Sequence, residues 1–134
     1  MADIDVKLTD NSEEILKAAY DAFAAGLEAI GLSAEKHAKE LCVVDTGRLR
    51  NSISHEVDED AVYIGTNVEY APYIEMGTGI YAEEGGRTTP WTYKDSKGNW
   101  VTTSGSKPHP FLRPAAQDYR EEYKDLMEQA MKNG

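Results

Sequence analysis

The residues best placed to do chemistry in this 134-residue chain form the triplet Asp45-Thr46-Gly47. An aspartate in such a triplet can activate water for hydrolysis, but only beside a second aspartate from another half of the chain or another subunit. The same carboxylate and the threonine hydroxyl can instead accept nearby amide hydrogens, while glycine allows a left-handed backbone angle. Because the triplet follows a helical pattern and precedes Arg48, we interpret it as a structural turn. A hydrolase that uses Asp45 is the lower alternative.

The histidines and the single cysteine do not form a ligand pattern. His37, His55 and His109 are far apart and lack His-x-x-x-His, Cys-x-x-Cys or glutamate-histidine spacing. Cys42 has no glycine-rich nucleophile elbow around it, which favours a buried, inert thiol. The Gly85-Gly86 pair lacks the Lys-Ser/Thr that follows in a phosphate-binding loop. We therefore predict no catalytic residue, no metal site and no cofactor.

Three arginines are candidates for contacts between subunits. They are Arg48, Arg50 and Arg113. In an acidic chain the guanidinium group is a natural partner for carboxylates across a subunit boundary, and Glu69 and Glu75 are the candidate acceptors. The alternative is pairing within the chain, of Arg48 with Glu75 or Asp45, because surface ion pairs form readily and contribute only about 0 to 1 kcal/mol.

Aromatic residues are concentrated in the second half of the chain. They are Tyr70, Tyr73, Trp91, Tyr93, Trp100 and Phe111. Platforms that stack single-stranded nucleic acid interleave aromatic residues with lysine and arginine, whereas the neighbours here are largely acidic or neutral. Tyrosine and tryptophan in exposed loops favour protein contacts. We expect core and interface roles, with Tyr73 and Phe111 in an assembly interface.

The overall composition limits the classes of function. The net charge is -10, and the sequence pI is about 4.7, which disfavours sequence-specific nucleic-acid binding. One cysteine excludes an intramolecular disulfide, so we expect folding in the cytoplasm. No apolar run approaches the roughly 20 residues of a membrane helix, and the start does not resemble a signal peptide. We expect residues 1–134 to form a single domain without a membrane partner.

A long N-terminal helix is predicted over residues 12–42. Asn11 and Glu14 have the spacing of a capping box at its start. A continuous helix of this length spans roughly 45 Å, so part of it should extend beyond its own core. The alternative is a bend near Gly31, because Gly26 and Gly31 each weaken a helix by about 1 kcal/mol relative to alanine. The apolar positions recur in steps of four and three: Leu16, Tyr20, Phe23, Leu27, Ile30, Ala34, His37 and Leu41.

Two strand pairs follow the long helix. Residues 52–57 and 61–68 alternate as strands around the acidic turn 58–60. Residues 91–94 and 100–103 form a second pair, around a turn in which Gly98 can take a positive φ. A short amphipathic turn or helix at 70–76, closed by Gly77, lies between the two pairs.

The remaining segments complete an α+β fold. We expect the 77–110 region to combine the second hairpin with mobile loops at 77–90 and 104–110, where glycine and proline are frequent. A C-terminal helix is predicted over 114–132, with Pro114 in its first turn. Together these elements predict a long N-terminal helix and a C-terminal helix packed on an antiparallel sheet of about four strands.

Three segments, taken in order, resemble a family of minor tail components and head-to-tail joining (neck, tail-completion) proteins of tailed bacteriophages. They are Val44-Asp45-Thr46-Gly47-Arg48-Leu49-Arg50-Asn51-Ser52-Ile53, Glu69-Tyr70-Ala71-Pro72-Tyr73-Ile74-Glu75-Met76-Gly77-Thr78-Gly79 and Lys107-Pro108-His109-Pro110-Phe111-Leu112-Arg113-Pro114-Ala115. The resemblance spans residues from about 12 to 130.

The resemblance implies a structural protein of a virion or prophage without turnover. It implies a ring, of six copies in the assembled particle, between the head connector and the tail, made in the bacterial host cytoplasm. The partners would be other copies of the chain and the connector and tail proteins. An acidic ring would repel DNA phosphates and so let the genome pass. The alternative is a small non-catalytic binding module, a monomer or dimer, whose proline-rich segment 107–114 docks a partner.

Overall fold

The computed structural model describes residues 11–43, 47–83, 85–95 and 97–133. The helices are α1 (Ser12–Leu41), α2 (Arg48–Ser52), α3 (Ala71–Met76), α4 (Leu112–Gln117) and α5 (Arg120–Asn133). The strands are β1 (Ser54–Val57), β2 (Val62–Gly65), β3 (Trp91–Lys94) and β4 (Trp100–Thr103), and a 3-10 turn covers Gly79–Tyr81. Within these described ranges, no helix is both long enough and apolar enough to cross a membrane.

Helix α1 is continuous through both of its glycines, which confirms the predicted long helix. Its buried face consists mainly of small residues, including Ala22, Gly26, Gly31 and Ala38. Neighbouring elements can therefore approach its backbone closely. The predicted capping box is wrong in one respect, because Asn11 occupies the N-cap position without a side-chain capping hydrogen bond.

The first turns of α1 extend beyond the core, as its length predicted. Ile15, Leu16 and Tyr20 are 65%, 55% and 70% exposed. The predicted apolar stripe is therefore buried only in part, with Leu27 and Ala34 inside the fold.

Helix α5 runs antiparallel to α1. Its first turn lies beside the second half of α1, where Ser33 donates a hydrogen bond to Glu122 over 3.0 Å. Further along α5, Met127 lies against Gly26. Since only six residues separate Met127 from the end of α5 at Asn133, the helix ends within about two turns of this contact. The described part of α5 therefore ends near Tyr20, six residues before Gly26, and the turns of α1 before Tyr20 extend past it.

The predicted helix 114–132 is divided into α4 and α5 by a turn at Asp118 and Tyr119. Pro114 does lie in the first turn of α4. The residues on either side of the turn make different contacts. Ala115 is fully buried in the core, whereas Tyr119 stacks on His37 of α1 with ring centroids 3.6 Å apart.

The α+β class is confirmed, but the four strands form two separate antiparallel pairs instead of one sheet. In the first pair His55 lies opposite Ile64, and in the second Tyr93 lies opposite Val101. Each hairpin is closed locally, since Asp58 and Asp95 accept amide hydrogens from their own turns. Helix α1 packs against β1 and β2, whereas β3 and β4 mainly contact each other.

One core cluster joins α1, α2, the first hairpin, α3 and α4. It contains Ala38, Cys42, Leu49, Ile53, Val68, Ala71, Phe111 and Ala115. All three segments that carry the sequence resemblance contribute to this cluster.

The two predicted loop segments are paired with each other through backbone hydrogen bonds. Thr78 donates to the Ser106 carbonyl over 2.9 Å, and Ile80 donates to the Ser104 carbonyl over 3.1 Å. The greater mobility expected for both segments stays a prediction.

Candidate functional site

The second and third resembling segments meet at the side chain of Glu75. This residue lies one helical turn after Ala71, on the face of α3 that points into the core, and it is only 5% exposed. Its Oε1 accepts the amide hydrogens of Phe111 and Leu112 over 3.1 and 2.8 Å. These amides lie at the start of α4, where no intrahelical acceptor is available. Glu75 therefore caps α4 from a different helix.

Arg113 completes the environment of Glu75. Its Nε donates to Glu75 Oε2 over 3.0 Å, and its Nη2 donates to the Glu75 carbonyl over 3.0 Å. The guanidinium group also reaches Glu83, with Nη1 2.8 Å from Oε2. The hydrogen bond from Arg113 lowers the pKa of Glu83. One arginine thus ties α3, the loop after it and α4 together.

Arg48 is paired within the chain. Its Nη2 lies 3.1 Å from Glu69 Oε2, and its guanidinium carbon is 5.5 Å from the centre of the Tyr70 ring. The pKa of Glu69 is lowered, first by its own backbone amide and then by Arg48. Arg48 thus pairs within the chain, but with Glu69, which was expected as an acceptor in a neighbouring subunit. Glu75 pairs with Arg113 instead of Arg48.

The predicted assembly residues divide into an inner and an outer group. Phe111 is fully buried, and Glu75 nearly so, so in this fold both serve the core and cannot contact a second subunit. Arg48, Arg50 and Tyr73 are exposed. Arg50 lines a shallow surface depression with Leu32 and Glu40 of α1. The other outer residues are Glu69 and the half-buried Arg113.

The structural turn is described only at its last residue. Gly47 has a φ of 84° and precedes α2, which confirms the predicted left-handed angle. Asp45 and Thr46 lie outside the described residues, and so does the proposed pairing of Arg48 with Asp45.

A cleft of about 440 Å³ lies beside Tyr73, on the side of the molecule formed by α3, the 3-10 turn and the start of β3. Its remaining lining residues are Gly77, Thr78, Gly79, Ala82, Gly85, Gly86, Arg87 and Trp91. The sequence indicated interface roles for Tyr73 and Trp91 separately but not that they share one cleft.

Two histidines lie between α1 and the elements packed on it. His37 Nε2 is 2.5 Å from Glu122 Oε2 of α5, which lowers the pKa of Glu122. His55 Nε2 is 2.7 Å from Glu28 Oε1, and its Nδ1 is 3.5 Å from Glu35 Oε1. His37 belongs to the predicted apolar stripe of α1, and it packs between helices. The role of His55 was not foreseen.

The His55 contacts predict a dependence of stability on pH. The pKa of His55 is raised above its ordinary value of 6.5, first by the hydrogen bond with Glu28. Because the folded state holds the proton more tightly, this contribution is fully present below pH 6.5 and is lost as the pH rises through the folded-state pKa. Urea unfolding at several pH values between about 5 and 9 measures it.

The control for this prediction is Glu28→Gln, which removes the main cause of the shift. The variant should lose stability less steeply than wild type as the pH rises. Equal slopes of the free energy of unfolding against pH for the two proteins would contradict the role assigned to the His55–Glu28 contact.

The contacts described above are hydrogen bonds and ion pairs that join α1 to α5 and α3 to α4. In the described ranges no three His, Cys, Asp or Glu side chains are grouped to hold a metal ion. Cys42 is buried, and burial raises the pKa of its thiol, which disfavours the reactive thiolate form.

Comparison with known proteins gives no relative. No protein-family model, no curated protein and no solved structure matches this chain.

Proposed function

We propose that this chain is a structural protein of the head-to-tail junction of a tailed bacteriophage or prophage. It assembles as a ring between connector and tail, where its partners are other copies of itself and the connector and tail proteins. The observation that carries the proposal is the convergence of the three resembling segments. Glu75 of the second segment caps the α4 helix begun by the third, and Arg48 of the first pairs with Glu69 of the second.

The exposed apolar residues of α1 support an assembling protein. A cluster that includes Ile15, Leu16 and Tyr20 is unusual for a helix that has no partner. Another protein chain is a natural cover for such a surface. The net charge of -10 would also limit trapping of DNA in a ring.

The alternative of a small binding module receives less support. Its proposed docking segment, 107–114, is already engaged within the chain. His109 donates to the Ile74 carbonyl over 2.7 Å, and Phe111 is fully buried. Lys107, His109 and Pro110 stay exposed, but the apolar anchor Phe111 is not available to a partner.

Charge reversal on α2 tests assembly. Arg48→Glu combined with Arg50→Glu should weaken ring formation while the chain stays folded, because like charges placed at an interface can cost several kcal/mol. Sedimentation measures assembly and circular dichroism measures folding, with the connector protein added if the free chain is monomeric.

A matched control carries the same change of charge on a different surface. Lys124→Glu with Lys132→Glu alters exposed positions of α5 and should assemble normally. Undiminished assembly of the α2 variant would contradict its place in the interface, and lost helicity would show that the arginines serve the fold.

A further inference from the structure

The cleft beside Tyr73 is open because its floor is made of backbone. Gly77, Gly79 and Gly85 have φ values of 83°, 63° and 86°, in the left-handed region that favours glycine. The neighbouring Gly86 packs so closely that a Cβ there would lie 2.5 Å from the Gly79 carbonyl oxygen. Side chains at these positions would fill the space or push the loops apart.

The walls of the cleft are aromatic, and its rim is basic. Tyr73 is 62% exposed, and Trp91 stands at the start of β3. The Arg87 guanidinium carbon lies 5.6 Å from the centre of the Trp91 ring. Hydrogen bonds to Thr89 and to the Pro90 carbonyl hold the arginine there. None of the described carboxylates pairs with Arg87.

Arg87 is the one charged residue among the described lining residues of the cleft, and the segment that begins beside it is basic. Residues 85–110 carry four basic side chains and one acidic side chain, a net charge of +3, in a chain of net charge -10. The four basic residues and the one acidic residue are Arg87, Lys94, Lys97, Lys107 and Asp95.

The first turns of α1 have the complementary character. Their exposed apolar residues are Ile15, Leu16 and Tyr20. Residues 12–21 carry three acidic side chains and one lysine, a net charge of -2. The lysine is already neutralised locally, since Lys17 Nζ lies 2.9 Å from Asp21 Oδ2. Glu13 and Glu14 are left at the exposed start of the helix.

We infer that the first turns of α1 from one copy dock in the Tyr73–Trp91 cleft of a second copy of this chain. Leu16 and Tyr20 enter the cleft, and Glu13 or Glu14 meets Arg87. This inference rests on the proposed ring function and identifies two surfaces that join neighbouring subunits, in addition to the α2 surface tested above.

The two surfaces belong to different parts of the chain, which decides the kind of assembly. Helix α1 packs within its own chain against α2, β1, β2, α4 and α5. The cleft is instead formed by α3, the 3-10 turn and β3. A contact between two different surfaces is heterologous, so repeated contacts close into a ring or continue as a filament.

The test uses two variants that each block one surface. Leu16→Asp with Tyr20→Asp blocks the helix, and Tyr73→Asp with Arg87→Glu blocks the cleft. All four residues are exposed, so both variants should fold. Each alone should self-associate at least about tenfold more weakly than wild type, because a large apolar contact is lost.

The mixture of the two blocked variants gives the decisive result. The intact helix of one can still enter the intact cleft of the other, so native mass spectrometry and sedimentation should detect a 1:1 dimer and nothing larger. The control of the same chemistry is Trp100→Asp on β4, at an exposed position outside the two surfaces. This control should assemble like wild type.

Several outcomes would overturn the inference. The first is a mixture that stays monomeric. The second is that the NMR signals of Leu16 and Trp91 in the wild-type protein do not change with protein concentration. Rings that persist in both blocked variants would overturn this docking while leaving the ring function intact. A 1:1 dimer in the mixture, with the protein absent from the head-to-tail junction of particles, would instead refute the function and keep the docking.

Discussion

Replacing Glu75 with glutamine should lower the free energy of unfolding by about 3 kcal/mol. The glutamine oxygen can still accept the Phe111 and Leu112 amides, but the amide nitrogen would then face the Nε donor of Arg113. Two donors would meet in a buried site, and the charge that holds the arginine would be lost. Urea unfolding monitored by circular dichroism measures the change.

Glu83→Gln is the matched control, because Glu83 pairs with the same arginine from a more exposed position. This variant should unfold close to the wild-type midpoint, since exposed ion pairs contribute little. Similar losses in the two variants would show that Arg113 alone matters and that Glu75 does not cap α4.

Alanine at Gly31 should destabilise the fold by about 1 to 2 kcal/mol, although alanine favours helices. Its Cβ would lie 2.4 Å from Cδ2 of His55. The ring cannot easily retreat, because Glu28 and Glu35 hold its two nitrogens. The overpacking therefore exceeds the gain of about 1 kcal/mol in helix propensity.

Alanine at Gly26 should behave differently in the same helix. The nearest atom to its Cβ would be Met127 Sδ, at 2.5 Å, near the end of a flexible side chain that can turn away. We expect a neutral or slightly stabilising change. Thermal unfolding of both variants checks the contrast, and equal shifts of the midpoint in one direction would contradict it.

Local chemistry explains why the hairpins could be predicted from the sequence. Asp58 accepts the amide hydrogens of Asp60 and Ala61, and Asp95 accepts those of Lys97 and Asn99. Such turns are encoded within a few residues. Whether the two hairpins join into one sheet depends on distant packing, and that prediction was wrong.

For the long helix, the sequence pattern predicted some features correctly but not the role of its glycines. Its continuity and its exposed start followed from length and periodicity. Gly26 and Gly31 were interpreted as weak points, whereas in the structure they are the places where Met127 and His55 approach α1. Contacts between residues distant in the chain decide whether a helix glycine is a weak point or a site of close packing. Periodicity alone could not distinguish the two.

The inner role of Glu75 and Phe111 was also missed. Phe111 stands among prolines, which is typical of an exposed loop, yet it is fully buried. One signal was present for Glu75, because its spacing of four from the buried Ala71 places it on the inner face of α3. Its partners lie more than thirty residues away, so the capping role required the tertiary structure.

Deletion of this gene from a prophage that carries it tests the proposed function most directly. Electron microscopy of lysates after induction should show filled heads and complete tails that are not joined, and expression of the chain in trans should restore whole particles. Normal particles in the deletion strain, or a loss of heads or tails themselves, would contradict a role at the head-to-tail junction.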